Sequence, residues 1–266
     1  MKSEFVKLLV QKTRQNPISV HIDAVGLLRL ASTNDARLSE FSDIISQTNR
    51  QGGNIIIPTY SYSYTKNEDY DILHTPSEIG VVTEYLRNKF AAKRTVDALF
   101  SYLVFAGRIS DKHFEVKDYE PFGDESLIGE LFAKDGYVGS IGGVLSYITE
   151  VHFLERKLGV SYRYNKSFTG TIIDYSGRKH KQEIVFFCRK PDCGLRPNLL
   201  RLEKDMKQDG LVEIFKADGY EFELEAVKIK ILYEYIERKI KEDHFYLCSN
   251  INEPIPRYDA MAGRKR

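Results

Sequence analysis

The sequence is short of cysteine, of net charge and of long apolar runs, and each shortage removes a class of protein. Three cysteines, Cys188, Cys193 and Cys248, cannot build a disulfide framework. Four residues separate Cys188 from Cys193, which is not a zinc-knuckle spacing, and no second pair completes a tetrahedral site. No metal is therefore expected, and the thiols suit a reducing cytoplasm. A formal net charge of +1, with Arg264-Lys265-Arg266 as a short basic tail, gives no nucleic-acid signature. No apolar stretch approaches the roughly 18 residues of a membrane-spanning helix. The stretch Met1-Lys2-Ser3-Glu4-Phe5 lacks the apolar core of a signal peptide and reads as helix. Neither nucleic acid nor membrane is an expected partner.

What is present suits a globular fold. With 266 residues, 42% of them hydrophobic and 29% charged, the chain can bury a full core. Strands are predicted at 18–22, 54–58, 101–106 and 137–141. Between them lie helices marked by Leu38, Phe41, Ile44 and Ile45, by Val81, Val82, Tyr85 and Leu86, and by residues 126–132. Thr75-Pro76-Ser77 reads as the opening of the second of these helices. The near-continuous apolar run 54–58 fits a strand buried on both faces, and the tyrosine-rich 59–64 reads as the loop after it. This alternation predicts an α/β fold with a largely parallel central sheet flanked by helices. The C-terminal third adds an antiparallel pair, 168–173 with 183–187, around the turn 174–178, then a helix at 199–206, a strand at 211–216 and a helix at 229–241. One unit over 1–248 with a tail over 249–266 is the expected organisation.

In open α/β sheets ligands sit outside the carboxyl ends of the strands. Four loops qualify: 21–26, 58–64, 107 onward and 142–149. The last leads into Thr149, His152 and Glu155, spaced three apart, so that neighbours share a helix face. A histidine beside a carboxylate, just past glycines, has what proton abstraction from a nucleophile needs. The same pattern also describes a paired helix histidine with no chemical role. His21, inside a strand, reads as a core histidine; His74, His113, His180 and His244 read as surface. Ser77 reads as a cap, Tyr60, Tyr62 and Tyr64 as packing aromatics, and Asp97 and Ser101 as residues that position the next strand.

In order along the chain, these residues resemble the aminoglycoside 3-N-acetyltransferase-like family. Residues 20–26, Val-His-Ile-Asp-Ala-Val-Gly, resemble its "VHSSLSSLG" loop, with Ile22 and Asp23 in place of serines. Ile57-Pro58-Thr59-Tyr60 resembles "MPTF/Y". Pro76-Ser77-Glu78-Ile79-Gly80 with Glu84 and Arg87 resembles "PSxxG…E…R". Arg94-Thr95-Val96-Asp97 with Ser101 and Gly107 resembles "RSxHPxxSxxxxG", Asp97 departing from the histidine-proline pair. Phe122-Gly123, Ser126 and residues 136–144 resemble "fGxxSpl…dGkvLLLGv". Thr149, His152 and Glu155 match "TxxHxxE", the most specific element.

The resemblance implies an N-acetyltransferase that uses acetyl-CoA as cosubstrate, with direct attack of an amine on the thioester. It implies His152 as general base and Glu155 as the carboxylate that orients it, ahead of Glu183 and Asp97. Thr149 is implied at the substrate or the thioester carbonyl. His21, Asp23, Gly26, Ser77, Gly142, Gly143 and Val144 are implied at the cofactor, with backbone N–H groups of 142–145 as oxyanion donors. Aminoglycosides need a carboxylate-rich cleft, whereas this chain has tyrosines after Pro58 and Tyr162-Arg163-Tyr164-Asn165-Lys166 after the helix. Tyrosine suits a nucleobase or sugar, and Arg or Lys a diphosphate. That segment also resembles the sugar-modifying branch of the family, which implies a nucleotide-linked amino-deoxy sugar bound by Thr59, Tyr60, Tyr62, Arg163, Tyr164 and Lys166. An aminoglycoside remains the alternative substrate, with Glu68, Asp69 and Asp71 as its acidic residues. A non-catalytic binding protein, a metal-dependent hydrolase without an evident third ligand, and acyl-cysteine chemistry are further readings.

Overall fold

The computed structural model describes residues 2–143, 145–191, 193–250 and 252. The chain begins with α1 (Lys2–Thr13), β1 (Ile18–Ile22), α2 (Asn34–Arg50), β2 (Ile55–Pro58), β3 (Tyr70–Asp71), α3 (Val81–Phe90), β4 (Tyr102–Phe105), α4 (Leu127–Ala133), β5 (Tyr137–Ile141) and α5 (Val151–Lys157). The hairpin β6 (Arg163–Ile173) and β7 (Lys179–Arg189) follows. Then come β8 (Leu195–Pro197), α6 (Leu200–Gln208), β9 (Glu213–Lys216), β10 (Glu223–Lys228), α7 (Ile229–Glu242) and β11 (Cys248–Asn250). Local chemistry starts the helices: the Thr33 hydroxyl accepts from Ala36 N–H ahead of α2, and Ser126 accepts from Gly129 N–H ahead of α4. Among the described residues no helix is long and apolar enough to cross a membrane.

The central sheet runs β4-β2-β1-β5-β10-β9. Strand alternation splits the core into two layers. Ile55 and Ile57 pack with Phe5, Leu9 and Phe41 on one face, while Ile56 packs with Val138, Phe153 and Leu154 on the other. By the same alternation Ser19 and His21 lie on the face opposite Ile18 and Val20, toward α5.

The fold is α/β, with the antiparallel addition in the C-terminal third in place. Within the central sheet, parallel pairing is confined to the middle, β1 with β2 and β1 with β5; β3 also pairs parallel with β6 in a separate sheet. β4 is antiparallel to β2, and β10 is antiparallel to both β5 and β9. The reversal of β4 has a functional consequence. Its C-terminal loop at Gly107 lies at the far edge, where Arg108 N–H reaches the Asn54 side chain at 3.2 Å. The segment entering β4 lies instead at the edge where β2 ends, with Thr59 N–H donating to Ser101 O at 2.8 Å.

Several boundaries differ from expectation for identifiable reasons. α3 opens at Val81, not at Thr75, because Gly80 precedes it with φ 143°, outside the helical region. Helix α5 starts at Val151, so Thr149 lies in the turn before it. His113, expected at the surface, is fully buried and bonded to Glu130 at 2.8 Å; its polar sequence neighbours conceal the pocket. Residues 249 and 250 are not tail but part of β11, which pairs with β8; residues 251 and 253–266 lie outside the described residues.

Candidate active site

Glycine lets the loops after β1 and β5 meet. A Cβ on Gly26 would lie 2.5 Å from Gly142 N, and one on Gly142 would lie 2.9 Å from Asp23 Cβ. Gly142 and Gly143 take positive φ, 88° and 70°. Asp23 caps this junction, its carboxylate accepting from Val25 N–H at 2.9 Å. Asp23, Gly26 and Gly142 therefore shape the loops by packing on one another. A Cβ on Gly143 would meet no atom of the described residues within 4 Å, and Val25 and Leu28 on the loop after β1 are exposed. Val144 lies outside the described residues. One residue past the 142–145 donors expected near an oxyanion, Ser146 N–H donates to Glu203 at 3.0 Å.

The chain then turns through Thr149 into α5. The Thr149 carbonyl accepts from His152 N–H at 3.0 Å, and its side chain lies near the Tyr60 hydroxyl. His152 Nδ1 lies 2.8 Å from Glu155 Oε2 and about one-fifth of its side chain (19%) faces solvent. Phe122 meets the ring edge-on at 5.3 Å. Glu155 is buried and held from three sides: by His152, by Arg163 Nε at 2.6 Å, and by the Tyr162 hydroxyl at 3.0 Å. Burial pushes the Glu155 carboxyl up, but these donors and the guanidinium charge outweigh it and keep it below the ordinary range. A carboxylate only accepts, so Nδ1 of His152 carries the proton and Nε2 keeps the lone pair. Burial lowers the pKa of His152, and the charge on Arg163 acts in the same direction; Glu155 and Glu150 oppose it. The ring is thus a neutral acceptor at neutral pH.

The other predicted residues divide between the site and the scaffold. Tyr60 is buried, its hydroxyl donating to that of Tyr102 at 2.7 Å, so its ring is not a platform for a base. Tyr64 packs over Gly170 and bonds Gln182, while Tyr62 is half-buried at φ 55°. Thr59 is buried against Ser101, and its carbonyl accepts from the fully buried Arg94 at 2.7 Å. Ser77 points inward, to Thr83 at 3.0 Å. Arg163, expected to grip a diphosphate, is buried and committed to Glu155 and to the Phe187 carbonyl. Its expected role fails because a side chain that neutralises a buried acid has no face left for substrate. Tyr164 and Lys166 are exposed on β6. His21 Nε2 lies 2.8 Å from Glu150 Oε2, both buried, so His21 serves this carboxylate. Among the described residues no group of three or more His, Cys, Asp or Glu is placed to hold a metal ion.

The two rival carboxylates are occupied elsewhere. Glu183 accepts from the Ser167 hydroxyl at 2.8 Å. Asp97 caps its own turn, accepting from Leu99 and Phe100 N–H at 2.8 and 2.9 Å. Burial raises its carboxyl from 3.8 to about 6. The folded state then prefers the protonated form, so the stability this group contributes is present below pH ~4 and lost as pH rises through about 6. Asp97→Asn keeps the acceptor without the charge. It is expected to raise the unfolding free energy at pH 7 by about 2–3 kcal/mol and to flatten its pH dependence between about 4 and 6, read by urea denaturation.

A family model described as aminoglycoside 3-N-acetyltransferase matches residues 38–217, more than half of the chain and including all of this His152–Glu155–Arg163 cluster. The chain belongs to that family. The family is one of N-acetyltransferases, and solved structures of the same fold agree. Aminoglycoside acetyltransferase AAC(3)-IVa, as apoenzyme, is 15% identical, with 98% of this chain and 96% of that one covered at a TM-score of 0.62. AAC-IIIb, in a binary complex with CoASH, is 14% identical, with 96% and 99% covered and a TM-score of 0.66. The YokD protein from Bacillus subtilis is 13% identical, with 91% and 94% covered and a TM-score of 0.63. No curated protein matches in sequence. Sequence reading did not single out Glu150, which enters the site only through the strand histidine it meets, nor Tyr162 as a hydrogen-bond donor to Glu155.

Proposed function

We propose that the protein transfers the acetyl group of acetyl-CoA to the amine of a nucleotide-linked amino-deoxy sugar in the cytoplasm, with His152 as the general base. The observation that carries this is the His152–Glu155 pair, its tautomer fixed and Nε2 left to accept, in a chain of an N-acetyltransferase family. Acetyl-CoA supplies an activated thioester; exposed Val25 and Leu28, on the loop after β1 that packs on Gly142, suit its pantetheine arm. His152 Nε2 takes the amine proton as the new C–N bond forms and the C–S bond breaks, and returns it to the departing sulfur. Glu155 stabilises the imidazolium so formed, and Arg163 and Tyr162 keep Glu155 in place. Thr149, in the turn that leads into α5, is the contact for the substrate or the thioester carbonyl.

Charge supports a nucleotide-linked substrate over a polycation. The carboxylates around His152 are neutralised within the chain: Glu120 by Arg156 at 2.7 Å and Asp124 by Lys157 at 3.0 Å. Glu78 pairs with Lys66, and Asp69 with Lys179 at 3.1 Å. Lys166 and Tyr164 stay exposed on β6 for a phosphate and a ring. The second reading, an aminoglycoside substrate, is favoured by the family's description and by AAC-VIa, a similar structure with sisomicin bound.

The test is CoA-thiol release from acetyl-CoA with dTDP- and UDP-linked amino-deoxy sugars beside kanamycin and gentamicin, the products identified by mass spectrometry. Turnover of a nucleotide sugar is the expected result. Turnover of the drugs alone would move the substrate to the second reading.

A further inference from the structure

Glu150 has no part in the transfer scheme, yet it is the most enclosed acid beside the site. Its side chain is fully buried. His21 Nε2 donates to its Oε2 at 2.8 Å from β1, while its Oε1 and the hydroxyl of Ser19, two residues before His21 on the same face, have no hydrogen-bond partner among the described residues. Its carbonyl accepts from Phe153 and Leu154 N–H at 3.1 and 3.3 Å, so the residue opens α5. One residue earlier is Thr149, and two residues later is His152. The hydroxyls of Tyr60, from the loop after β2, and of Tyr102, from β4, lie within reach of its charge.

Removing a carboxylate from water costs several kcal/mol or more, so a buried one must be held by donors. Here burial pushes its pKa up, but the charge and hydrogen bond of His21 outweigh that and bring it below the ordinary range. Its charge favours the protonated ring of His152, two residues on. The groups facing His152 are then Glu150 and Glu155, which make it more basic, and Arg163, which makes it less so.

We infer that Glu150, clamped by His21, is a positioning residue of the acetyl-transfer site: it pins the turn bearing Thr149 and the start of α5 to the central sheet, and its negative charge sustains His152 as a base. The inference rests on the assignment of His152 as that base. It also reassigns His21 from the cofactor to the scaffold of the catalytic helix.

Glu150→Gln keeps the shape and an acceptor for His21 but removes the charge. The expected result is a fall in kcat of about 10-fold with both KM values within about 2-fold of wild type. The acid limb of kcat/KM moves to lower pH, because a ring without this negative neighbour loses its proton more readily. A pH profile superimposed on that of wild type, or a change in KM alone, would overturn the inference. If circular dichroism shows Glu150→Gln to be unfolded, Glu150→Asp carries the test, since it keeps the charge on a shorter arm. Its kcat should fall while the limb stays at the wild-type pH; a limb displaced to lower pH would overturn the inference. His152→Ala separates the two levels. Undiminished kcat in His152→Ala removes the base assignment itself, whereas its loss beside an unaltered Glu150→Gln removes only the role of Glu150.

Discussion

His152→Ala is expected to lower kcat by about 10²–10⁴-fold while acetyl-CoA still binds within about 3-fold of the wild-type Kd. The magnitude follows from what the ring does. An ammonium group has no lone pair with which to attack a thioester, so at neutral pH the reaction depends on a group that accepts its proton. In the proposed scheme His152 is that group: Glu155 takes Nδ1–H at 2.8 Å, and Nε2 is left as the acceptor. The ring rests on Phe122 and on a buried carboxylate, not on the glycine loops after β1 and β5, so its removal leaves those loops intact. Steady-state kinetics with isothermal titration calorimetry separate the two quantities. A variant that lost acetyl-CoA binding as steeply as kcat would point to a structural role for the ring.

Arg163→Met is expected to destabilise the fold by about 3–5 kcal/mol, the cost of leaving one member of a buried ion pair without its partner. Glu155 is 2% exposed and its Oε2 lies 2.6 Å from Arg163 Nε, so methionine would fill the space and strand the charge. Chemical denaturation at pH 7 reads this directly. Activity should fall with it, because an unsupported Glu155 either takes up a proton or turns away, and His152 loses its fixed tautomer. Arg163→Met,Glu155→Leu, which removes both charges, should recover much of the stability and none of the activity. A substrate-gripping arginine would behave in the opposite manner, raising KM and leaving stability unchanged.

The contrast at Arg163 shows what was and was not legible in the sequence. Periodicity found the helices and the buried strands because burial on one face repeats along the chain. It could not set strand direction, since the apolar run 102–105 reads the same parallel or antiparallel; hence the placement of the Gly107 loop at the wrong edge. The pairing of His152 with Glu155 was readable because three residues on a helix bring side chains together. Arg163 lies in the next element, and only the return of β6 beneath α5 turns it inward while Tyr164 and Lys166 face out. Tyr60 and Tyr64 carry the same spacing whether they meet a ligand or each other's neighbours, and here they meet Tyr102 and Gln182. The meeting of His21 with Glu150 spans 129 positions, beyond any local pattern.

The most direct test of the central claim is the pH dependence of kcat/KM for the accepted amine, measured side by side for wild type and His152→Ala. The wild-type profile should rise through one acid limb below the ordinary imidazole value of 6.5, since burial and Arg163 lower the pKa of His152. In His152→Ala that limb should vanish, with the residual rate climbing only as the free amine loses its own proton. A limb that survives unchanged in His152→Ala would contradict the account, because another group would then be taking the proton.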